Sequence, residues 1–226
     1  PLISGGTDTL RFEGSHHVIV QGIDIAGGEE RCVFHHADDV TLCQVVVRDC
    51  ARHGILGADY DSGTLRLTQV EVYGSGGQPE GENLKHPIYV ATDPSAYPEA
   101  VLRIEHSFIH DNHGGNAIKS RARRTEIYDS WIESTPGMYY SLELVGYEEF
   151  EADPPLDSDV VGNVFVHHDE YGMRFGGDGT GASRGRVRFA FNTMVGVGDG
   201  WDVYAPLIRF FDEIDAAAKA AALSQR

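Results

Sequence analysis

Seven short windows of the chain share one plan, in which a glycine or polar residue separates two runs of alternating apolar residues. They are IVQGIDI, LCQVVV, LTQVEV, IEHSFI, IYDSWI, VVGNVFV and FAFNTMV, pivoting on Gly22, Gln44, Gln69, His106, Asp129, Asn163 and Asn192. Successive pivots lie 22, 25, 37, 23, 34 and 29 residues apart. A strand, a polar turn and a second strand recurring at this period cannot bury their apolar faces within one unit. The units must therefore stack as a solenoid, each turn covering its neighbours. Such stacking makes neighbours of side chains far apart in sequence.

A second set of windows tracks the same repeat: TLRFE, RCVFH, HGILG, HPIYV, NAIKS, YSLEL, YGMRF and WDVYA. Strand alternation places Leu10, Val33, Ile55, Ile88, Ile118, Leu142, Met173 and Val203 inward. The residues that follow them form an outward column of Arg11, Phe34, Leu56, Tyr89, Lys119, Glu143, Arg174 and Tyr204. Short β-branched strands and 27 glycines set the class as all-β. Turn-rich segments at 74–85, 92–99, 146–159 and 176–185 are the expected insertions between turns. The tail changes character. Residues 206–226 are alanine-rich with a leading proline and predict an amphipathic helix that caps the open end. Two units follow, a β-solenoid over 1–205 and a capping helix over 206–226.

A net charge of −17 argues against nucleic-acid binding, which depends on phosphate neutralisation. No apolar run approaches the ~18 residues of a membrane span. The opening PLISGGTDTL has neither a basic segment nor an apolar one, so no signal peptide is visible. The three cysteines, Cys32, Cys43 and Cys50, cannot all pair with one another, and Cys43 lies in a strand window; buried thiols are expected rather than a disulfide framework. The histidine pairs at 16/17, 35/36 and 167/168 fall at corners, where one member should face inward and the other solvent. No metal ligand set emerges from them.

Strands in adjacent turns of a solenoid lie about 4.8 Å apart. The outward column therefore lines up Tyr89, Lys119, Glu143 and Arg174, with a second row of His86, Asn116, Tyr140 and Tyr171 three residues upstream of each. Arg121 shares the face of Lys119, and His110 and His113 sit on the turn leading into it. Flat aromatic rings and cations in a row suit a linear sugar chain that carries carboxylates. KSRARR, at 119–124, places four basic residues in six positions of an acidic chain, which favours an anionic ligand.

Short strands, Asn/Asp/Gln/His pivots and variable turns resemble the single-stranded, right-handed parallel β-helix of pectate lyases and related polysaccharide enzymes, here with about seven turns. The stretches HPIYV (86–90) and IKSRA (118–122) are similar to those of bacterial β-helix proteins of unassigned function. NAIKSRARRTEIYDSWI is more distantly similar to the lysine-bearing coil of the chondroitinase B and alginate lyase group, with two departures: Glu143 stands where that group carries an arginine, and its calcium-binding residues are unmatched in HDNHGGNA. The resemblance implies a secreted or periplasmic polysaccharide lyase that cleaves an acidic, uronate-containing polysaccharide by β-elimination. Lys119 would be the base or the carboxylate partner, tuned by Glu143, with Tyr140 or His86 handling the second proton. Tyr89, Asn116, His113, Arg121, Tyr171 and Arg174 would bind substrate. No cofactor is required on this reading, and Ca²⁺ is the one ion it would accommodate. The alternatives are a non-catalytic glycan-binding or structural β-helix module, and a glycoside hydrolase. The last needs two facing carboxylates, and Glu143 is the one acid in the central strip.

Overall fold

The computed structural model describes residues 1–57, 60–77, 84–146, 156–168, 172–177, 183, 185–197 and 207–211. These residues form an all-β, parallel solenoid, and no helix occurs among them. Eight strands, including Asp24–Ala26, Val46–Arg48, Glu71–Tyr73, Phe108–Ile109, Trp131–Ser134, Val164–His167 and Thr193–Gly196, make one sheet. The other sheet has 13 strands, and its two longest, Asp8–Gln21 and Arg31–Cys43, turn a corner. The start of Arg31–Cys43 pairs with His53–Gly57, and its end pairs with Leu65–Thr68.

From that corner the sheet divides into two outer faces. The first face continues through Ile88–Ala91, Ile118–Arg121, Leu142–Val145, Met173–Gly176 and Ile208–Phe211. The second continues through Val101–Glu105, Arg124–Tyr128, Asp157–Val161 and Val187–Ala190. The eight-stranded sheet is the third face.

Alternation puts one stack of apolar side chains behind each face. Leu10, Val33, Ile55, Ile88, Ile118, Leu142 and Met173 stand in register as expected, and all but Leu10 are fully buried. Behind the third face run Ile25, Val47, Val72, Ile109, Ile132 and Phe165, each 0% exposed. Each such side chain contributes about 1.5–3 kcal/mol relative to exposure, so the stacks supply the main drive for folding.

The polar pivots are backbone devices. Gly22, Gln44, Gln69, His106 and Asp129 have positive φ, between 47° and 67°, and each donates its N–H to a carbonyl in the next turn. In the last two turns the expected pivots are displaced by one residue. There the left-handed positions are Gly162 and Phe191, and Asn163 and Asn192 occupy the column that follows. That column is a polar stack through the corner. Ser107 Oγ accepts from Val70 N–H, Ser130 Oγ from Ser107 N–H, Asn163 Oδ1 from Ser130 N–H and Asn192 Oδ1 from Asn163 N–H, all at 2.9–3.1 Å. Each bond satisfies a backbone donor that the turn leaves without a ladder partner.

Four expectations are corrected. Cys32 and Cys50 form a disulfide with Cα atoms 5.6 Å apart, because two corners of one coil bring them together; Cys43 alone is a free thiol. Ile208–Phe211, expected to begin the capping helix, is a strand paired with Met173–Gly176, so the solenoid continues past 205; residues 212–226 lie outside the described residues. Val203 and Tyr204 are likewise outside them, and Ile208 and Arg209 take the places assigned to them in the two columns. Of the histidine pairs only 167/168 divides as expected: His16 and His17 are both exposed, and His35 and His36 are both buried.

Candidate functional site

The outward column of the first face is in register as expected. Leu56 pairs with Tyr89, Tyr89 with Lys119, Lys119 with Glu143, Glu143 with Arg174, and Arg174 with Arg209. It is not open to water. Lys119 is 9% exposed, Arg121 2% and Glu143 1%, with His86, Asn116 and Tyr140 also buried beside them.

Glu143 is the hub. Its Oε2 accepts from Asn116 Nδ2 at 2.6 Å and pairs with Lys119 Nζ at 3.2 Å, while Oε1 pairs with the Arg174 guanidinium. Arg174 lies over the Tyr140 ring at 4.9 Å, and Lys119 lies over the Tyr89 ring at 5.5 Å. Arg174 Nε is buried with no acceptor among the described residues. Arg121 Nε donates to Tyr89 Oη at 3.0 Å, and its Nη1 donates to the Gly146 carbonyl. Each charge thus meets an opposite charge, a carbonyl or a ring face, which is what burial of ions demands.

The upstream row is held by turns rather than strands. His86 Nδ1 accepts the Asn116 N–H at 2.8 Å, so the proton of the neutral ring sits on Nε2. His86 N–H donates to His53 Nδ1 at 3.1 Å. Gly115 makes this approach feasible. Its φ is +67°, and a Cβ there would stand 2.2 Å from the Lys85 carbonyl oxygen and 2.6 Å from His86 Nδ1. Burial, then the Lys119 ammonium, hold the His86 imidazole well below its ordinary pKa. Burial, with Lys85 next, lowers His53 to about 4. Both rings are neutral at pH 7.

The structure therefore brings together His86, Tyr89, Asn116, Lys119, Arg121, Tyr140, Glu143 and Arg174. Tyr171 lies outside the described residues. His113 is exposed on its turn, where its backbone N–H donates to the Ser75 carbonyl. His110, considered for the same site, points to the third face and pairs with Glu71 and Asp111. Two residues were missed. His53 ends up against His86, and its place in HGILG, one repeat before HPIYV, was the available signal. Tyr139 stacks on Tyr140 and is 43% exposed, and the doubled tyrosine in GMYYS was its signal.

A cavity of about 410 Å³ lies on the other side of this sheet, lined in part by Ser120, Leu144, Phe175 and Phe210, the inward neighbours of the strip residues. It is partly open to solvent, with Phe210 at its rim exposed, and lies on the opposite side of the sheet from the strip. Among the described residues no group of three or more His, Cys, Asp or Glu side chains is arranged to hold a metal ion, and no helix is long and apolar enough to cross a membrane. Comparison with protein-family models, with curated proteins and with solved structures returns no match.

Proposed function

We propose that the chain is a right-handed, pectate lyase-like β-helix of about seven turns and a secreted or periplasmic lyase that cleaves an acidic, uronate-containing polysaccharide. The observation that carries this reading is the charge network of Lys119, Glu143 and Arg174, buried on the outer side of a sheet whose fold needs no charge there. Buried ions cost desolvation energy that an apolar residue avoids, and they concentrate where positioning of charge is used. The Cys32–Cys50 disulfide supports an oxidising compartment.

In β-elimination a base removes the C5 proton, the C4=C5 double bond forms, the C4–O bond breaks, and the leaving oxygen gains a proton. Lys119 takes the C5 proton and Arg174, with a spare Nε–H, neutralises the substrate carboxylate, both held in place by Glu143; in the alternative assignment Lys119 joins Arg174 on the carboxylate and Tyr140 takes the proton. Tyr140 suits protonation of the leaving oxygen, and the neutral His86, with its proton on Nε2, can hydrogen-bond that oxygen. Tyr89, Asn116 and Arg121 shape the floor.

Incubation with alginate, pectate and glycosaminoglycans, followed by ultraviolet absorbance of the unsaturated product, tests the reading. Product from one of them, lost in Lys119→Ala, is the expected result. Lys119→Arg separates the two roles, since activity retained assigns Lys119 to the carboxylate and activity lost assigns it to the proton. A chelator arm reads calcium dependence. Absence of product from every substrate sinks the lyase.

The near-complete cover over Lys119 and Glu143 favours a second reading, a glycan-binding or structural module, which would retain glycans and release nothing. A hydrolase would need a carboxylate facing Glu143, and Asp111 faces His110 instead.

A further inference from the structure

The third face carries an aromatic cluster with no part in the strip. Phe108 and Trp131 stand in register on adjacent strands and are 41% and 40% exposed, with ring centroids 6.1 Å apart, edge to face. Phe108 stacks on the His110 ring at 3.7 Å, and His110 stacks on Tyr73 at 5.5 Å. Acids frame the rings. His110 Nε2 meets Glu71 at 3.1 Å and its Nδ1 meets Asp111 at 2.7 Å. Trp131 Nε1 donates to Glu133 at 3.1 Å, and the other Glu133 oxygen meets His168 Nε2 at 3.1 Å.

The solenoid does not require these rings, since the same outward column holds Val46, Val164 and Thr193 in other turns. Two large aromatics left in water on neighbouring strands forgo burial energy, and exposed apolar groups rimmed by polar ones mark contact surfaces.

We propose that this patch binds a neutral saccharide chain. Standing edge to face one strand apart, Phe108 and Trp131 form an apolar corner, one ring offering its face and the other its edge, against which the C–H face of a pyranose can pack. Glu71, Asp111 and Glu133 are oriented by their imidazole and indole partners and offer acceptors to sugar hydroxyls. The same three carboxylates repel a uronate. The first face gathers cations and the third gathers acids, so the two faces select opposite kinds of glycan. A second copy of the chain fits poorly. Two rings bordered by charged groups fall short of the ~1,200 Å² or more that a stable interface buries.

Affinity electrophoresis of the whole chain in gels carrying galactomannan, mixed-linkage β-glucan or hydroxyethyl cellulose tests the assignment, with alginate and pectate gels as contrast. Retardation is expected in at least one neutral gel. Trp131→Ala and Phe108→Ala should each weaken it about tenfold, as loss of a central aromatic anchor does, while Trp131→Tyr retains most of it and Arg124→Ala, on the second face, changes nothing. Unaltered thermal denaturation of each variant confirms that the fold is intact. The proposal is overturned if no neutral gel retards the wild type, or if the Phe108→Ala, Trp131→Ala double variant is retarded equally. Sedimentation that shows a wild-type dimer dissociated by Trp131→Ala would give the patch to a second copy and overturn it as well.

Discussion

The first and second faces both carry a ladder of charge on their outer side, built by the same register rule, yet they are opposite in environment. On the second face Arg66, Arg103, Glu126, Asp159 and Arg188 stand in register and pair along the column and with Asp39, Glu105 and Arg124. The arginine side chains there remain 39–63% exposed. On the first face the Glu143 side chain is 1% exposed, Lys119 11% and Arg174 18%. Exposed pairs gain little because water already solvates both partners. A covered network has given up that solvation and depends on every member remaining in place. The contrast separates a solvated surface from a site, although both read as polar outward residues in sequence.

The largest consequence falls on Glu143. Glu143→Ala removes the carboxylate that the covered Lys119 and Arg174 share and the acceptor of the Asn116 amide. A loss of about 3–5 kcal/mol in denaturant unfolding is expected. Glu143→Gln, which keeps the shape and some hydrogen bonds, should lose less. If Glu143→Ala costs under ~1 kcal/mol, the two ladders are alike and the strip loses its claim to be special.

Acidification probes the same contrast through histidine. Burial first of all lowers His35, His53 and His167 to about 4, and lowers His86 well below its ordinary value. These rings are neutral when folded, and the unfolded chain takes up their protons below about pH 6.5. Their stability contribution is therefore complete above pH 6.5 and is lost as pH falls from there towards 4. Each of the three imidazoles lowered to about 4 is worth on the order of 3 kcal/mol over that window. The ladder acids respond later. The guanidinium of Arg188 holds Asp159 below its ordinary value, and the Arg186 backbone N–H does the same for Asp157. That contribution is present above the unfolded value near 3.8 and is lost only as pH drops through the folded ones. Urea unfolding at pH 7.5, 5.5 and 4.5 should show the first loss, and His53→Gln should flatten it. A profile that stays level down to pH 4.5 would contradict neutral buried imidazoles.

Much of this arrangement was legible in the sequence, because alternation fixes the side of a sheet and the repeat fixes which residues meet. Tyr89, Lys119, Glu143 and Arg174 are adjacent for that reason alone. Alternation is silent about what lies over a face, so the cover on Glu143 could not be foreseen. The pivot shift at Phe191 was hidden as well, since a phenylalanine gives no sign that its backbone is left-handed. WDVYA and LIRFF alternate equally well, so the strand at Ile208–Phe211 had a rival in sequence. Phe108 and Trp131 were readable, each one step before an inward isoleucine, but they fell outside the column under scrutiny.

The smallest effect belongs to the open ladder. Arg124 joins Glu126 at 2.6 Å and Asp159 at 2.7 Å with 39% of its side chain exposed. Removing it should cost only about 0.2–1 kcal/mol. The two acids it leaves behind keep other arginines, since Arg103 reaches Glu126 and Arg188 reaches Asp159. On the covered strip one carboxylate, Glu143, serves both Lys119 and Arg174. A double-mutant cycle between Arg124 and Asp159, run at low and at high salt, reads this directly. The coupling should be small at low salt and shrink further at high salt, because exposed charges are screened. A cycle between Lys119 and Glu143 should be larger and nearly salt-independent. If the two cycles screen alike, the strip is as wet as the ladder and the argument from burial fails.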